Sequence, residues 1–313
     1  MFTRIALLLI AIFAVPYYWF LMDPGPTSVS PRDIDIARLR ALASSEAGAL
    51  PVAIEFAAVA TDTVPGTILV AGGGLRSERT GVFVWRLITP GGDTIINSGL
   101  TRDQATASGF GDFHPAIQAT ADSWLQAARR IIFTSEEIDH VGGLIAMLPT
   151  SPDIAEKVIG NPQQVDAVRA LAPVLTKSLS SVPRALIPPD GYAAIAPGIA
   201  AVRTPGHLGG SQMIYVRLQD GREFLWAGDT APMRRNVEWQ RPRSRYSAEW
   251  QGNEDRTATL GWIKGLVRLQ KSQPGLKIIY GHDYSWLSDP VMGPRFTSAP
   301  ASELVPPEGK LAR

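Results

Sequence analysis

The chain has 313 residues, 45% hydrophobic and 19% charged, a globular composition with enough length for one large core or two smaller ones. A net charge of +1 provides no basic or acidic field, so nucleic acid is not an expected partner. The absence of cysteine excludes disulfides and thiolate metal ligands.

Ile5 to Met22 is a run of 18 uncharged residues between Arg4 and Asp23. As a helix it would span roughly 27 Å, enough for a bilayer core. Tyr17, Tyr18 and Trp19 lie near its far end, where amphipathic rings favour the interface. Arg4 should keep the N-terminus inside. Residues 1–22 are therefore expected to be a single-pass transmembrane anchor, with the main domain on the extracytoplasmic, periplasmic side of the cell membrane. The alternative is a cleaved signal segment and a secreted protein. No small-x-small site follows the apolar run, which favours the anchor.

Residues 23–49 read as a Pro/Gly/Ser-rich linker and a short helix, with Ser30 as cap and Pro31 in the first turn. Strand-like runs follow at 51–60, 66–72 and 81–88, then "TPGGD" turns the chain into a further strand at 94–100. Residues 115–130 and 161–179 read as helices and 131–134 as a strand. Strands are expected at 198–204, 212–218, 223–228 and 277–281. Leu260, Ile263, Leu266 and Val267 form a helical stripe within 256–271. Residues 291–313 read as a loose tail. Strands in runs, then helices, then strands again predict a layered α/β or α+β domain over 50–290, with no internal boundary.

The chain has four histidines, and three share a setting. An apolar strand ends, a small or turn residue follows, and a histidine comes next: His140 in "FTSEEIDH", His207 in "TPGH", His282 in "IIYGH". "LWAGD" does the same for Asp229. Strand ends on a rigid sheet can aim ligands into one cleft, and histidine with carboxylate suits zinc, iron or manganese. Glu137 and Asp139, close together and facing Asp229, would repel one another in a dry cleft unless a cation lay between them. Glu136 alternates with Glu137 and is expected to face solvent.

These segments, "SEEIDHVGG" (135–143), "TPGHLGGS" (204–211), "LWAGDTAP" (225–232) and "IIYGHDY" (278–284), resemble as a set the metallo-β-lactamase-fold hydrolases. That family carries His-x-His-x-Asp-His-x-Gly-Gly, then Pro-Gly-His, Gly-Asp and a final Gly-His. Asn97 stands where the family often has aspartate. The resemblance implies an αββα sandwich with metal at one edge between two sheets. It implies a second metal position made of Asp139, His140 and His282, with Asp229 bridging. The first position keeps His207 and Asp229, while Ser135 and Glu137 replace two histidines. Serine is a poor ligand and glutamate a competent oxygen donor. Flavodiiron relatives place a glutamate there too, but they carry a flavodoxin domain for which this chain has no room.

The implied activity is hydrolysis of a small ester, lactone, amide or phosphoester by a metal-activated water, with Asp139 orienting the water or taking its proton. One or two Zn²⁺ ions are expected, with iron or manganese as alternatives, and weaker occupancy at the first position. His114, in "FGDFHPAI", is a candidate substrate contact at the cleft mouth. The arginine-rich stretch 233–250 is expected to be a solvated loop or to overhang the site. The competing reading is a catalytically degenerate, membrane-tethered binding module of the same fold.

Overall fold

The computed structural model of the chain describes residues 2–171, 191–291 and 293–298. In chain order the strands are β1 (Ala53–Pro65), β2 (Ser77–Ile88), β3 (Thr94–Ile96), β4 (Asp112–Phe113), β5 (Arg130–Ile132), β6 (Val158–Ile159), β7 (Tyr192–Ala196), β8 (Ile199–Arg203), β9 (Gln212–Arg217), β10 (Glu223–Gly228), β11 (Leu276–Tyr280) and β12 (Thr297–Ser298). One sheet runs β12-β1-β2-β3-β5-β6, with β4 pairing β1; the other runs β11-β10-β9-β8-β7.

Period-two alternation decides which side chains meet between the sheets. Phe56 and Ala58 of β1 and Phe83, Trp85 and Leu87 of β2 point inward, against Ile214, Val216, Phe224 and Trp226 of the second sheet. The rings of Trp85 and Trp226 meet edge-on at 5.5 Å. The residues between them, Ala57, Val59, Val82 and Val84, face the other way, onto helices Pro115–Ala127 and Ile138–Met147. Helices Ile36–Ala43 and Arg256–Ser272 cover the outer face of the second sheet through Leu39, Ala43, Trp262 and Leu266. A sheet covered on both faces needs apolar residues on both, which is what these strands carry. The result is the four-layer αββα arrangement that the resemblance implied.

Several elements differ from expectation. Among the described residues no helix is long and apolar enough to cross a membrane. The run 5–22, expected as a transmembrane anchor, divides into the 16-residue α-helix Phe2–Tyr17 and the π-helical segment Tyr18–Met22. Pro16 lies at the junction; it lacks the N–H that regular winding needs there. The far end, expected at a membrane interface, sits against the domain. Leu21 O accepts from Gly72 N at 2.8 Å and from Thr67 Oγ1 at 2.9 Å, and Phe20 packs edge-on to Trp250.

The helix expected from Pro31 begins at Ile36, where the Asp35 side chain caps Arg38 N at 2.9 Å. Residues 66–72, expected as a strand, start with the short helix Gly66–Leu69. The strand expected over 94–100 stops at Ile96 because Asn97 turns left-handed, with φ of 63°. The helix at 161–179 is seen as Pro162–Leu171, and the rest lies outside the described residues. Of the expected loose tail, Thr297–Ser298 pairs in parallel with β1, while 299–313 lie outside the described residues.

Candidate metal centre

The ends of β3, β5, β10 and β11 open on one cleft of about 400 Å³ at the edge of the sandwich. After β5 the chain runs through Thr134 and the acidic turn into helix Ile138–Met147, which places Asp139 and His140 in its first turn. This helix is held close to the 97–99 turn. Ser98 N and Oγ donate to His140 O at 2.7 and 2.9 Å. A Cβ on Gly143 would lie 2.0 Å from Ser98 O, so the second glycine of "HVGG" permits the approach.

The left-handed turn at Asn97 aims its Oδ1 at Thr134, accepting from the backbone N at 3.0 Å and from Oγ1 at 3.2 Å. Thr134 Oγ1 lies 2.9 Å from His140 Nδ1. With its hydrogen committed to Asn97, this hydroxyl accepts from Nδ1–H, and Nε2 of His140 is left as a bare acceptor. His282 follows β11 and donates Nδ1–H to Gly81 O at 2.9 Å, which frees its Nε2 in the same way.

Asp229 follows a bulge at Gly228, whose φ is 53°. Its Oδ1 lies 3.0 Å from His282 Nε2, and its Oδ2 lies 3.3 Å from His140 Nε2 and 3.4 Å from His207 Nε2. Asp139 Oδ2 is 3.6 Å from His282 Nε2 and 3.8 Å from His140 Nε2. Ligand atoms about 2.0–2.1 Å from one tetrahedral zinc sit about 3.3 Å apart, so these spacings fit a divalent ion. His140 Nε2 and Asp229 Oδ1 are buried, and beyond the ion-pair contacts among these groups neither has a hydrogen-bond partner, an arrangement a cation between them would satisfy.

Charge in the cluster follows from these contacts. Burial opposes ionisation of Asp229, yet the His282 and His140 imidazoles hold it well below the usual carboxylate range. Burial likewise opposes protonation of His282, but Asp229 and then Asp139 outweigh it and push it up to about 10. Metal-free, the cluster balances its carboxylates with protons; a metal ion would displace them.

The His207 side is built differently. Its turn sits on the start of helix Arg256–Ser272, where Asp255 N donates to Gly206 O at 2.8 Å and Trp262 Nε1 to Pro205 O at 3.0 Å. His207 Nε2 is 2.5 Å from Glu137 Oε2. His207 Nδ1 is 2.8 Å from Arg243 Nη2 and 3.4 Å from Glu254 Oε2, and Arg243 Nε donates to Glu254 at 2.8 Å. Burial disfavours the charged form of Glu254, but His207 and Arg243 keep its pKa low. Ser135 Oγ accepts from Glu137 N at 3.2 Å and reaches Glu137 Oε2 at 3.4 Å.

Glu137, Asp139, His140, His207, Asp229 and His282 thus come together as the sequence suggested. His114, the expected substrate contact, is not among the residues that line the cleft; it precedes helix Pro115–Ala127, with Nε2 3.3 Å from Thr61 Oγ1. Glu136 is not solvent-facing: its Oε1 accepts from Gly210 N at 2.8 Å and ties the acidic turn to the His207 turn. The arginines of 233–250 are largely committed to partners, Arg235 to Glu78 and Arg245 to Asp23 and Glu249. Sequence reasoning missed Thr134, Gly81 and Glu254, and singled out Arg243 only as one of the arginines of a stretch that could overhang the site. Only Thr134 carried a local signal, as the polar residue that ends the strand before the acidic turn. The cleft wall beside these groups is apolar, formed by Ile68, Leu69 and Phe110.

No family model and no curated protein matches the sequence. Solved structures do match. An N-acyl homoserine lactone hydrolase, solved with the product N-hexanoyl-L-homoserine bound at its catalytic metal centre, superimposes with a TM-score of 0.56 at 17% identity, over 75% of this chain and 95% of its own. The chain has the metallo-β-lactamase fold. A probable metal-dependent hydrolase from Staphylococcus aureus gives 0.52 at 16% identity, over 76% of this chain and 91% of its own. A dizinc quorum-quenching lactonase gives 0.50 at 11% identity, over 75% and 90%. At these identities the likeness is one of fold. In this metallo-β-lactamase fold the candidate metal centre lies at one edge of the sandwich, at the strand ends.

Proposed function

We propose that the chain is a metal-dependent hydrolase with one well-held divalent ion, zinc by its donor set, bound by Asp139, His140, His282 and Asp229. The observation that carries this reading is the convergence of the buried His140 imidazole and Asp229 carboxylate at ligand spacing with His282 and Asp139. Such an ion, when bound, acidifies a water and polarises a substrate oxygen. Asp139 lines the cleft and is placed to orient that water and take its proton. Ile68, Leu69 and Phe110 offer an apolar wall to the rest of the substrate and exclude bulk water from one side. The lactone hydrolases of the same fold support a carboxylic ester or lactone over an amide or phosphoester.

The test is hydrolysis of nitrophenyl esters and γ-lactones by the purified full chain, with metal content measured in parallel. Chelator should abolish turnover and zinc restore it. Activity untouched by metal removal, or no metal retained, defeats the reading. Metal retained without turnover on any ester or lactone favours the second reading, a binding module. That reading is supported by Ser135, whose hydroxyl is taken up by Glu137 N and Oε2.

Placement of the domain outside the cytoplasm is also a proposal. It is supported by the uncharged run behind Arg4 and by the exposed side chains of Ile10, Phe13 and Val15. Fractionation of the full chain tests it: recovery in the cytosolic fraction would defeat it.

A further inference from the structure

We infer that Arg243 takes the place of a second metal ion in this cleft: the position between Glu137 and His207 is closed to a cation, and the guanidinium supplies the positive charge there. This rests on the hydrolase reading, because it presupposes an ion at the other position.

The argument turns on which ring nitrogen of His207 is bare. Arginine only donates hydrogen bonds, and its Nη2 lies 2.8 Å from His207 Nδ1. Nδ1 therefore presents its lone pair to Arg243, and the imidazole proton sits on Nε2, 2.5 Å from Glu137 Oε2. If both ring nitrogens carry protons, Nδ1–H faces Glu254 Oε2 at 3.4 Å and Nε2–H still faces Glu137. For Nε2 to bind a metal the proton would have to sit on Nδ1, which would then point at the Arg243 donor. His140 and His282 show the reverse, each with Nδ1 beside an oxygen that accepts its proton.

Spacing agrees with this assignment. The 2.5 Å between Glu137 Oε2 and His207 Nε2 is too short for two ligands of one zinc, which stand about 3.3 Å apart; His207 Nε2 keeps that spacing only from Asp229 Oδ2, at 3.4 Å. Charge agrees as well. Glu254, fully buried, holds the partly buried Arg243 in place through a 2.8 Å contact. The guanidinium also lines the cleft with Glu137 and Asp229, two carboxylates that a second ion would otherwise have to balance. Arg243 is thus a positioning residue: it fixes the His207 tautomer and charges the wall opposite the ion.

Metal counting decides the matter independently of turnover. The metal-free full chain is titrated with Co²⁺ while its visible d–d absorbance is followed, and zinc per chain is measured after dialysis against excess metal. Wild type should break at one equivalent and hold one zinc. Arg243→Lys should also hold one, since the charge remains. Arg243→Met should take a second ion, because His207 can then turn its proton to Glu254 and free Nε2. Glu137→Gln should keep one, since Glu137 is not a ligand of the ion that is bound. Two ions in wild type overturn this inference and leave the hydrolase reading standing; none overturns both. Arg243→Met that is folded by circular dichroism yet still holds one ion also overturns it. If that variant fails to fold, the wild-type titration and Glu137→Gln still decide.

Discussion

Two sides of one cleft use the same residue types to opposite ends. On the His140–His282 side, each imidazole passes Nδ1–H to an oxygen, Thr134 Oγ1 or Gly81 O, and turns a bare Nε2 inward. On the His207 side, Nδ1 meets a guanidinium and Nε2 meets a carboxylate. The first side leaves His140 Nε2 without a directed hydrogen bond; the second gives both His207 nitrogens a partner and leaves only Glu254 Oε1 of its pair unpartnered. Whether a histidine can bind metal is therefore set by what its far nitrogen touches, not by its place at a strand end.

Breaking the first side should have the largest effect. Asp229 is shared by all three imidazoles, and removal of its charge leaves no carboxylate common to them. Asp229→Asn should lose bound metal and lower ester or lactone turnover by about 10³-fold, because a bound ion contributes several kcal/mol to such reactions. Metal content and kcat/KM check it together. Thr134→Val keeps the shape but removes the acceptor for His140 Nδ1–H, so zinc affinity should fall about 10–100-fold. Competition with a chelating dye reads this directly. Glu254→Gln, on the other side, should change that affinity less than Thr134→Val does. If the two are equal, the contrast between the two sides is wrong. Gly143→Ala would put a methyl against Ser98 O and should destabilise the fold by roughly 1–3 kcal/mol, read as a lowered Tm.

The His140–His282 side was the legible side. Asp139, His140, Asp229 and His282 each sit within a few residues of an apolar strand, so their convergence follows once the strands form one sandwich. The runs at 51–60 and 81–88 were likewise legible as strands, and their alternate residues, Phe56, Ala58, Phe83 and Trp85 against Ala57, Val59, Val82 and Val84, cover two faces. The His207 side was not legible, because its partners are distant in sequence. Arg243 lies 36 residues from His207 and Glu254 lies 47 residues from it, and neither stands next to a motif. "GTILVAG" was misread for a different reason. Its apolar run has strand composition, but Pro65 and Gly66 start a helical turn and Gly72 and Gly74 reverse the chain, so Ile68 and Leu69 line the cleft instead. Glu136 was misread because strand-like alternation was carried into a turn, where a backbone N–H of the facing loop captures the carboxylate.

The smallest effect is a reversal of pH dependence between the metal-free and metal-loaded protein. Burial opposes charging of His140 and His282, but Asp229 and Asp139 outweigh it, so both folded pKa values lie above the ordinary 6.5, that of His282 at about 10. A raised folded pKa means that the native state holds the proton more tightly than the unfolded chain does. Its contribution to stability is complete below pH 6.5 and is lost as pH rises through about 10. The Tm of chelated protein should therefore fall between these limits. In the loaded protein both Nε2 atoms are bare, and it is the unfolded chain that takes up protons. Stability from these histidines then rises as pH climbs through 6.5 and does not decline toward 10. Thermal melts in chelator and in zinc across this range give the two curves. Parallel curves would mean that His140 and His282 bind no ion.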